Sequence, residues 1–292
     1  MFAIVGAAGQ VGYATSLALR DAGMPVKAIL RDESKARRLT EIGCEIAIAD
    51  LLDSKALAKA IGDAHTVQII LPPSPQAKDP AEEMRRGIES LASALEEARP
   101  KRVLAISDYG AHITNDIGMP TLCRTFEERL SKLDCHKVFL RSAEHMQGWG
   151  RSIPRAIESG TLPSFHDPLD MEFPTVSAPD VGVIAANVLL RPASDKMVEI
   201  VHAEGPRRYS ANDVAVVLSQ LLGRTINAEA VPRSQWKEAF ESVMSPSLAE
   251  LLIKANDAQN EGGLVDVEPD AKEVRYGTTE LLDALRPFVP PQ

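Results

Sequence analysis

The chain has 292 residues, 45% of them hydrophobic, and a formal net charge of −9. That length and apolar content allow one large domain or two smaller lobes with a sizeable core. The acidic balance without any basic block argues against a nucleic-acid partner, and no stretch approaches the roughly 18 apolar residues of a membrane span.

The first five residues, Met1 to Val5, read as a buried strand, without the basic segment and long apolar run of a signal peptide. The strand Phe2–Val5 runs directly into Gly6-Ala-Ala-Gly9-Gln-Val-Gly12, and a helical stretch follows from Tyr13 to Ala22. Strand, three glycines spaced three apart, then helix is the arrangement that holds a dinucleotide pyrophosphate. Gly6 serves the tight turn, Gly9 lets the backbone approach the phosphates, and Gly12 lets helix and strand pack closely. The helix N-terminus presents free N–H groups to the anion.

The alternation then continues. Val26–Leu30 is the second strand, Ser34–Thr40 a short helix and Glu45–Ala49 the third strand. Asp53 or Ser54 caps a helix ending at Gly62, and His65–Leu71 is a strand stopped by Pro72-Pro73. Glu82–Ala98 is a long amphipathic helix, Arg102–Ile106 a strand, Thr121–Leu133 a helix and Lys137–Leu140 a strand. Apolar strands alternating with helices predict an α/β fold: a Rossmann doubly wound parallel sheet covered on both faces.

Past Arg141 the pattern loosens. Asp180–Leu190, Ser210–Leu222, Ser234–Val243 and Ser247–Ala258 read as helices, Met197–Ala203 and Thr225–Val231 as strands. Glu261-Gly-Gly263 and the Pro-rich end read as loops or terminal coil. The expected division is a dinucleotide-binding domain over 1–145 and a smaller C-terminal α/β substrate lobe over 146–292, a boundary that exchanged segments can cross. The three cysteines, Cys44, Cys123 and Cys135, form no CxxC and no metal spacing, as in a reducing compartment. The expectation is a cytoplasmic protein, with apolar flanking helices that leave room for a homodimer.

The motifs Gly6-Ala-Ala-Gly9-Gln-Val-Gly12, Leu30-Arg31-Asp-Glu-Ser-Lys35 and Ala49-Asp50-Leu-Leu-Asp53 resemble the NmrA-like family of the atypical short-chain dehydrogenase/reductase superfamily. Phe139-Leu-Arg141-Ser-Ala-Glu-His-Met146, Glu204-Gly205 and Leu222-Gly223-Arg224 are similar to later segments of that family. The resemblance implies an NAD(P)-binding oxidoreductase. Gly6, Ala8, Gly9, Gln10 and Val11 fall at its pyrophosphate site. Arg31 ends the second strand, where an arginine pairs a 2′-phosphate, and Lys35 falls at the second cationic position, so NADP (NADPH) is favoured over NAD. Asp32 is the discordant acid beside them. Asp50 and Leu51 would border the adenine. Leu71, Pro72 and Ser107 would run past the ribose and nicotinamide.

The superfamily's usual proton donor is a tyrosine with a lysine four residues later. Each of the four tyrosines lacks it: Leu17, Ile113, Asp213 and Glu280 follow Tyr13, Tyr109, Tyr209 and Tyr276 at that spacing. Ser107, Tyr109, His112 and His145 remain as candidate catalytic residues. Met146, Trp149, Phe165 and His166 are candidate substrate contacts, suited to a planar or apolar small molecule. No HExxH-like spacing points to a metal, and no G-x-S-x-G to a serine hydrolase. The expected activity is NADP-dependent hydride transfer to a conjugated acceptor such as a quinone, enone or imine, which solvent can finish protonating. The alternatives are a non-catalytic redox sensor and an enzyme that uses NADP(H) for a non-reductive rearrangement.

Overall fold

The computed structural model describes residues 1–74 and 77–290. In its first half, strands β1 (Phe2–Val5), β2 (Val26–Leu30), β3 (Glu45–Ile48), β4 (Thr66–Ile69), β5 (Arg102–Asp108) and β6 (His136–Ser142) alternate with helices. These are α1 (Gln10–Asp21), α2 (Arg37–Glu41), α3 (Ser54–Ile61), α4 (Pro80–Ala98) and α5 (Met119–Ser131). The second half contains β7 (Glu144–His145), α6 (Ile153–Ser159), β8 (Thr161–Ser164), β9 (Thr175–Val176), α7 (Ala178–Leu190), β10 (Val198–Glu204) and α8 (Ala211–Leu222). It continues through β11 (Asn227–Ala230), α9 (Trp236–Glu241), α10 (Pro246–Gly262), β12 (Val274–Tyr276) and α11 (Leu281–Leu285).

Eight strands form one sheet in the order β3-β2-β1-β4-β5-β6-β10-β12. Every neighbouring pair in it is parallel. The central strands β4 and β6 are buried along their whole length, as strands covered on both faces must be. On one face α1 and α7 pack over Ile4, Leu104, Val138 and Leu140. On the other, α3, α4 and α5 bury Leu57, Ile61, Ile88, Leu91, Leu95, Phe126 and Leu130 against Val5, Val67 and Phe139. The close seat of α7 on α1 depends on Gly182: a Cβ there would stand 2.4 Å from the Val11 carbonyl. Thr15 Oγ1 donates to the Gly182 carbonyl across that contact, at 3.1 Å.

Helix ends follow the sequence signals. The Asp53 carboxylate accepts from the Ala56 N–H, and Gly62 closes α3 at φ 58°. Asp79 caps α4 through the Glu82 N–H, with Pro80 in its first turn. Ser210 and Asp213 form a reciprocal capping box at the start of α8, and Gly223 closes it in the left-handed region.

One expectation for the second half needs correction. The stretch after the last expected helix is not all loop and terminal coil. α10 extends through Glu261 and Gly262, β12 adds an edge strand beside β10, and α11 buries Leu281 and Leu285 in the C-terminal core. Val274-Arg-Tyr276 carries no alternating apolar pattern because it pairs through its backbone with a strand some 70 residues away, for instance His202 opposite Val274. The second half also contributes to the main sheet. Its strands β10 and β12 extend the main sheet, and α7 covers one face of it. What stands apart is a smaller core of Met146, Trp149, Ile153, Leu162, Phe173, Tyr209, Leu218, Ile226 and Leu285, with β8 and β11 paired above it.

Helix α10 ties this second unit back over the first. Ser247 Oγ donates to Asp79 at 2.6 Å, and Lys254 Nζ to Asp116 at 2.8 Å. The tie places α10, the preceding turn 242–245 and α9 across the carboxyl edge of the main sheet.

Candidate active site

Strand order reverses between β1 and β4, and a crevice opens at such a point beyond the carboxyl ends of the strands. Here it is a continuous cleft of about 2010 Å³, bounded below by the ends of β1 to β6 and above by α9, α10 and the segment 148–166. That exceeds the usual few hundred to ~1,000 Å³ of a site for one small ligand. It is large enough for a dinucleotide and a second molecule together.

At one end, Gly6 turns out of β1 at φ 77°, and its N–H and that of Ala7 both donate to the Ile29 carbonyl. Gly9 is the N-cap of α1 and supplies no side-chain acceptor, whereas α3, α4, α8 and α10 are all capped by a side chain. The first N–H groups of α1 are therefore left for an anion, and no acidic residue sits in that turn to repel it. A Cβ on Gly9 would meet only the Gly6 carbonyl, at 3.5 Å, so the space in front of the loop is empty. A Cβ on Gly12 would lie 2.5 Å from that carbonyl, so this glycine is needed for packing. These features fit a dinucleotide pyrophosphate.

All the residues expected to touch the cofactor line this cleft: Gly6, Ala8, Gly9, Gln10, Val11, Arg31, Lys35, Asp50, Leu51, Leu71, Pro72 and Ser107. Arg31 and Lys35 are exposed, and among the described residues neither forms a salt bridge. Asp32, the acid that looked discordant, is occupied: its Oδ1 accepts from the Ser34 hydroxyl at 2.7 Å and the Ser34 N–H at 3.0 Å. Those two bonds hold its carboxyl below the ordinary range. It caps the turn 33–35 that presents Lys35. Asp50 likewise accepts from the Leu52 N–H at 2.8 Å in the turn after β3.

The candidate catalytic residues divide. Tyr109 and His112 do not line the cleft. Tyr109 is fully buried in the core beneath α7, edge-on to His202 at 5.6 Å, and its hydroxyl donates to Glu204 at 3.3 Å. Burial and the Glu204 carboxylate push its phenol far above the ordinary tyrosine value. The chain turns inward just after β5, which takes Tyr109 to the wrong face. His112 stays on that side, with its Nδ1 buried and unpartnered. Neither is positioned to protonate a molecule in the cleft. Among the substrate candidates, Met146 is also misplaced: fully buried in the C-terminal core, it touches no part of the cleft.

Ser107, His145, Trp149, Phe165 and His166 do reach the cleft. Ser107 Oγ donates to Glu127 Oε1 at 2.5 Å, and Glu127 in turn accepts both Nε and Nη2 of Arg141, at 3.0 and 2.7 Å. Arg141 Nη1 also lies 3.1 Å from Glu268. The serine is thus fixed by a buried ionic network. Ser142 Oγ lies 3.0 Å from the Ala143 carbonyl and pairs with His145 Nε2 at 3.2 Å. Burial holds the His145 pKa below the usual histidine value despite the neighbouring Glu144.

At the far end the cleft becomes an aromatic chamber. His166 stacks on Phe173 with centroids 3.8 Å apart and lies 5.7 Å from Trp149. Phe165 stacks on Phe240 at 4.2 Å, with Trp236 edge-on behind it at 5.8 Å. Val243, Met244 and Leu252 from the turn after α9 and from α10 complete the wall. The sequence analysis missed Phe173 and Phe240 and two carboxylates on the cleft wall, Asp108 and Glu144. Asp108 had a legible signal, its position beside Ser107 at a strand's carboxyl end. Phe240 had none, because only the fold of α9 against α10 brings it over the sheet. Among the described residues no cluster of His, Cys, Asp or Glu could hold a metal ion, and no helix is long and apolar enough to cross a membrane.

Comparisons with known proteins agree with this geometry. Residues 6–130 match the NAD(P)H-binding family model. The chain is 26% identical over 254 residues to an NAD(P)H azoreductase of Xenophilus azovorans, covering 86% of this chain and 85% of that one. It is 23% identical over 290 residues to quinone oxidoreductase 2 of Escherichia coli strain K12, covering 98% and 97%. Among solved structures, the E. coli NADPH-dependent quinone oxidoreductase in complex with NADPH superposes with a TM-score of 0.78, at 23% identity and 98% coverage of both chains. The Citrobacter sp. triphenylmethane reductase complexed with NADP(H) superposes at 0.80, with 18% identity and 99% coverage of both. The expected resemblance thus holds at the level of the fold: the chain has a Rossmann-like parallel sheet, and its residues 6–130 match the NAD(P)H-binding family model.

Proposed function

We propose that this protein is an NADPH-dependent oxidoreductase that delivers hydride to a planar conjugated acceptor such as a quinone, enone or imine. One observation carries the reading: a single cleft joins an uncapped glycine-loop helix, flanked by Arg31 and Lys35, to a chamber walled by Trp149, Phe165, His166, Phe173 and Phe240. The azoreductase and quinone oxidoreductase relatives support it. The aromatic chamber also favours an enzyme over a non-catalytic sensor, which has no need of a second binding space beside its dinucleotide.

When bound, the cofactor supplies the hydride; the chain supplies position and dryness. The N–H groups at the start of α1 hold the pyrophosphate. Arg31 and Lys35 hold the 2′-phosphate and so select NADPH over NADH. Asp50 and Leu51 border the adenine, and Leu71 and Pro72 guide the ribose. The stacked side chains at the far end orient a flat acceptor by its faces and exclude water around the transfer. Residues 1–145 and 146–292 act as cofactor and substrate units in this reading, although β10, β12 and α7 of the second complete the first.

The test is consumption of NADPH by the purified protein with a panel of quinones, enones and imines, beside a measurement of NADPH binding. Turnover with any of these classes supports the reading. Tight NADPH binding without turnover on the whole panel overturns it in favour of the sensor. Phe240→Ala removes a wall residue that touches no expected cofactor position. It should raise KM for the acceptor about tenfold or more, on the scale of a deleted buried aromatic discounted for its open side, and leave KM for NADPH unchanged.

A further inference from the structure

Asp108 is the last residue of β5, set opposite Ser142 of β6 in the sheet register. Tyr109 turns away to Glu204 and the Ser107 hydroxyl is taken up by Glu127, while Asp108 stands on the cleft wall with its carboxyl uncommitted to either. Glu144 of β7 and Cys123 of α5 line the same cleft, and the Glu144 charge acts on Asp108. The nearby basic groups are committed elsewhere. His166 Nε2 lies 3.4 Å from Glu144, and Arg151 and His145 also act on Glu144. Among the described residues no salt bridge reaches Asp108, and no side chain donates a hydrogen bond to its carboxyl.

We propose that Asp108 is the proton donor of this enzyme, handing its carboxyl proton to the heteroatom of the acceptor as hydride reaches the conjugated carbon. This rests on the oxidoreductase reading above. Hydride brings two electrons and one hydrogen from NADPH and forms the new C–H bond. The π pair of the C=O or C=N bond moves onto oxygen or nitrogen and takes the proton as the Asp108 O–H bond breaks. NADP⁺, the reduced acceptor and an aspartate carboxylate result, and the carboxylate recovers its proton from water in the open cleft.

The two carboxyls of the cleft are suited to different states. Burial, with the charge of Glu144 added to it, pushes Asp108 up to about 7, against a weaker opposing pull from the Tyr109 amide. A large fraction of Asp108 therefore carries a proton at neutral pH. Burial also raises Glu144, but His166 and Arg151 outweigh it and hold Glu144 below the usual value, as the carboxylate. Burial holds His145 below the usual histidine value, so it is neutral at neutral pH and a poor acid. The missing Tyr–Lys pair is thus replaced by a carboxylic acid at the end of β5, next to the serine expected near the nicotinamide.

A matched pair of acceptors tests this: a neutral imine, whose nitrogen must gain a proton, and its N-alkylated iminium cation, which needs none. For the wild type, kcat with the imine should fall about tenfold per pH unit above pH ~7, and kcat with the iminium should not. Asp108→Asn should lower imine kcat by about 10²-fold and abolish that alkaline limb, while its iminium kcat stays within a few fold and proves the fold intact. An unchanged limb in the variant, or equal loss on both acceptors, overturns the proposal. A second measurement needs no turnover. The unfolded carboxyl titrates near ~3.9, the folded one at about 7, so the wild type loses stability as pH rises through that window. The Tm of Asp108→Asn should therefore gain on the wild type by about 5–7 °C between pH 4 and pH 8. A gap that does not change with pH overturns the proposal whatever the acceptor. A widening gap together with NADPH binding and no turnover would instead locate the failure in the oxidoreductase reading, and the donor role would fall with it.

Discussion

Replacing Arg31 with alanine separates recognition of the 2′-phosphate from recognition of the rest of the cofactor. Arg31 is exposed at the end of β2, with no salt bridge to break among the described residues, so the substitution leaves the fold alone. A charge-assisted hydrogen bond to phosphate is worth about 1.5–3 kcal/mol, and exposure of this side chain puts it at the low end. About 1–1.5 kcal/mol corresponds to roughly 5- to 12-fold in Kd. Lys35→Ala should cost a similar factor, and the double variant about 25- to 150-fold if the two act independently. The NADH affinity should not move, because NADH has no group at that position. Quenching of tryptophan fluorescence reports both constants, since Trp149 stands on the cleft wall. The losses should shrink as salt rises, the two cations being fully solvated. Equal weakening of NADPH and NADH, or an unchanged NADPH constant, would refute the assignment of Arg31 and Lys35.

Ser34→Ala removes the hydroxyl that donates to Asp32 and leaves the backbone N–H bond in place; it is expected to raise NADH affinity relative to NADPH, read by the same titrations. The two loop glycines should behave oppositely. Gly9→Ala meets ordinary contact at 3.5 Å and should keep its Tm while weakening NADPH about 10- to 100-fold. Gly12→Ala drives a Cβ to 2.5 Å from the Gly6 carbonyl and should cost about 1–3 kcal/mol in denaturant unfolding. Glu127→Ala strips Arg141 of its bidentate partner in a buried site, at about 3 kcal/mol, with Glu268 limiting the damage. A loss under about 1 kcal/mol would show that the network holding Ser107 is slack.

The cofactor end of this site was legible because it is local. Gly6 to Gly12 sit within one strand–turn–helix unit, and Arg31, Asp50 and Pro72 each end a strand whose apolar run marks it. In a parallel sheet the carboxyl ends of successive strands share an edge, so strand ends in the sequence become cleft residues in space. The same logic fails one residue beyond the strand. Tyr109 follows Asp108 directly, yet the turn sends its ring into the core beneath α7, and the hydroxyl that looked like a proton donor is spent on Glu204. Met146 met the same fate one residue after His145. Only atomic packing decides which of two adjacent side chains faces the cavity.

The chemistry end was written in contacts of long sequence separation. Phe165 meets Phe240 because α9 and α10 fold over the sheet edge, and α10 is held there by Asp79 and Asp116 of the first half. The edge strand β12 depends on backbone bonds to β10, which leave no apolar pattern to read. The sequence by itself determined the parallel sheet, the glycine loop between β1 and α1 and the placing of Arg31 and Lys35 beside it, all set by periodicity and by residues a few positions apart. Only the tertiary structure decided that Asp108 rather than Tyr109 stands on the cleft wall and that Asp32 is a cap. It also decided that an aromatic chamber closes the far end, because burial, charge pairing and facing direction belong to neighbours in space.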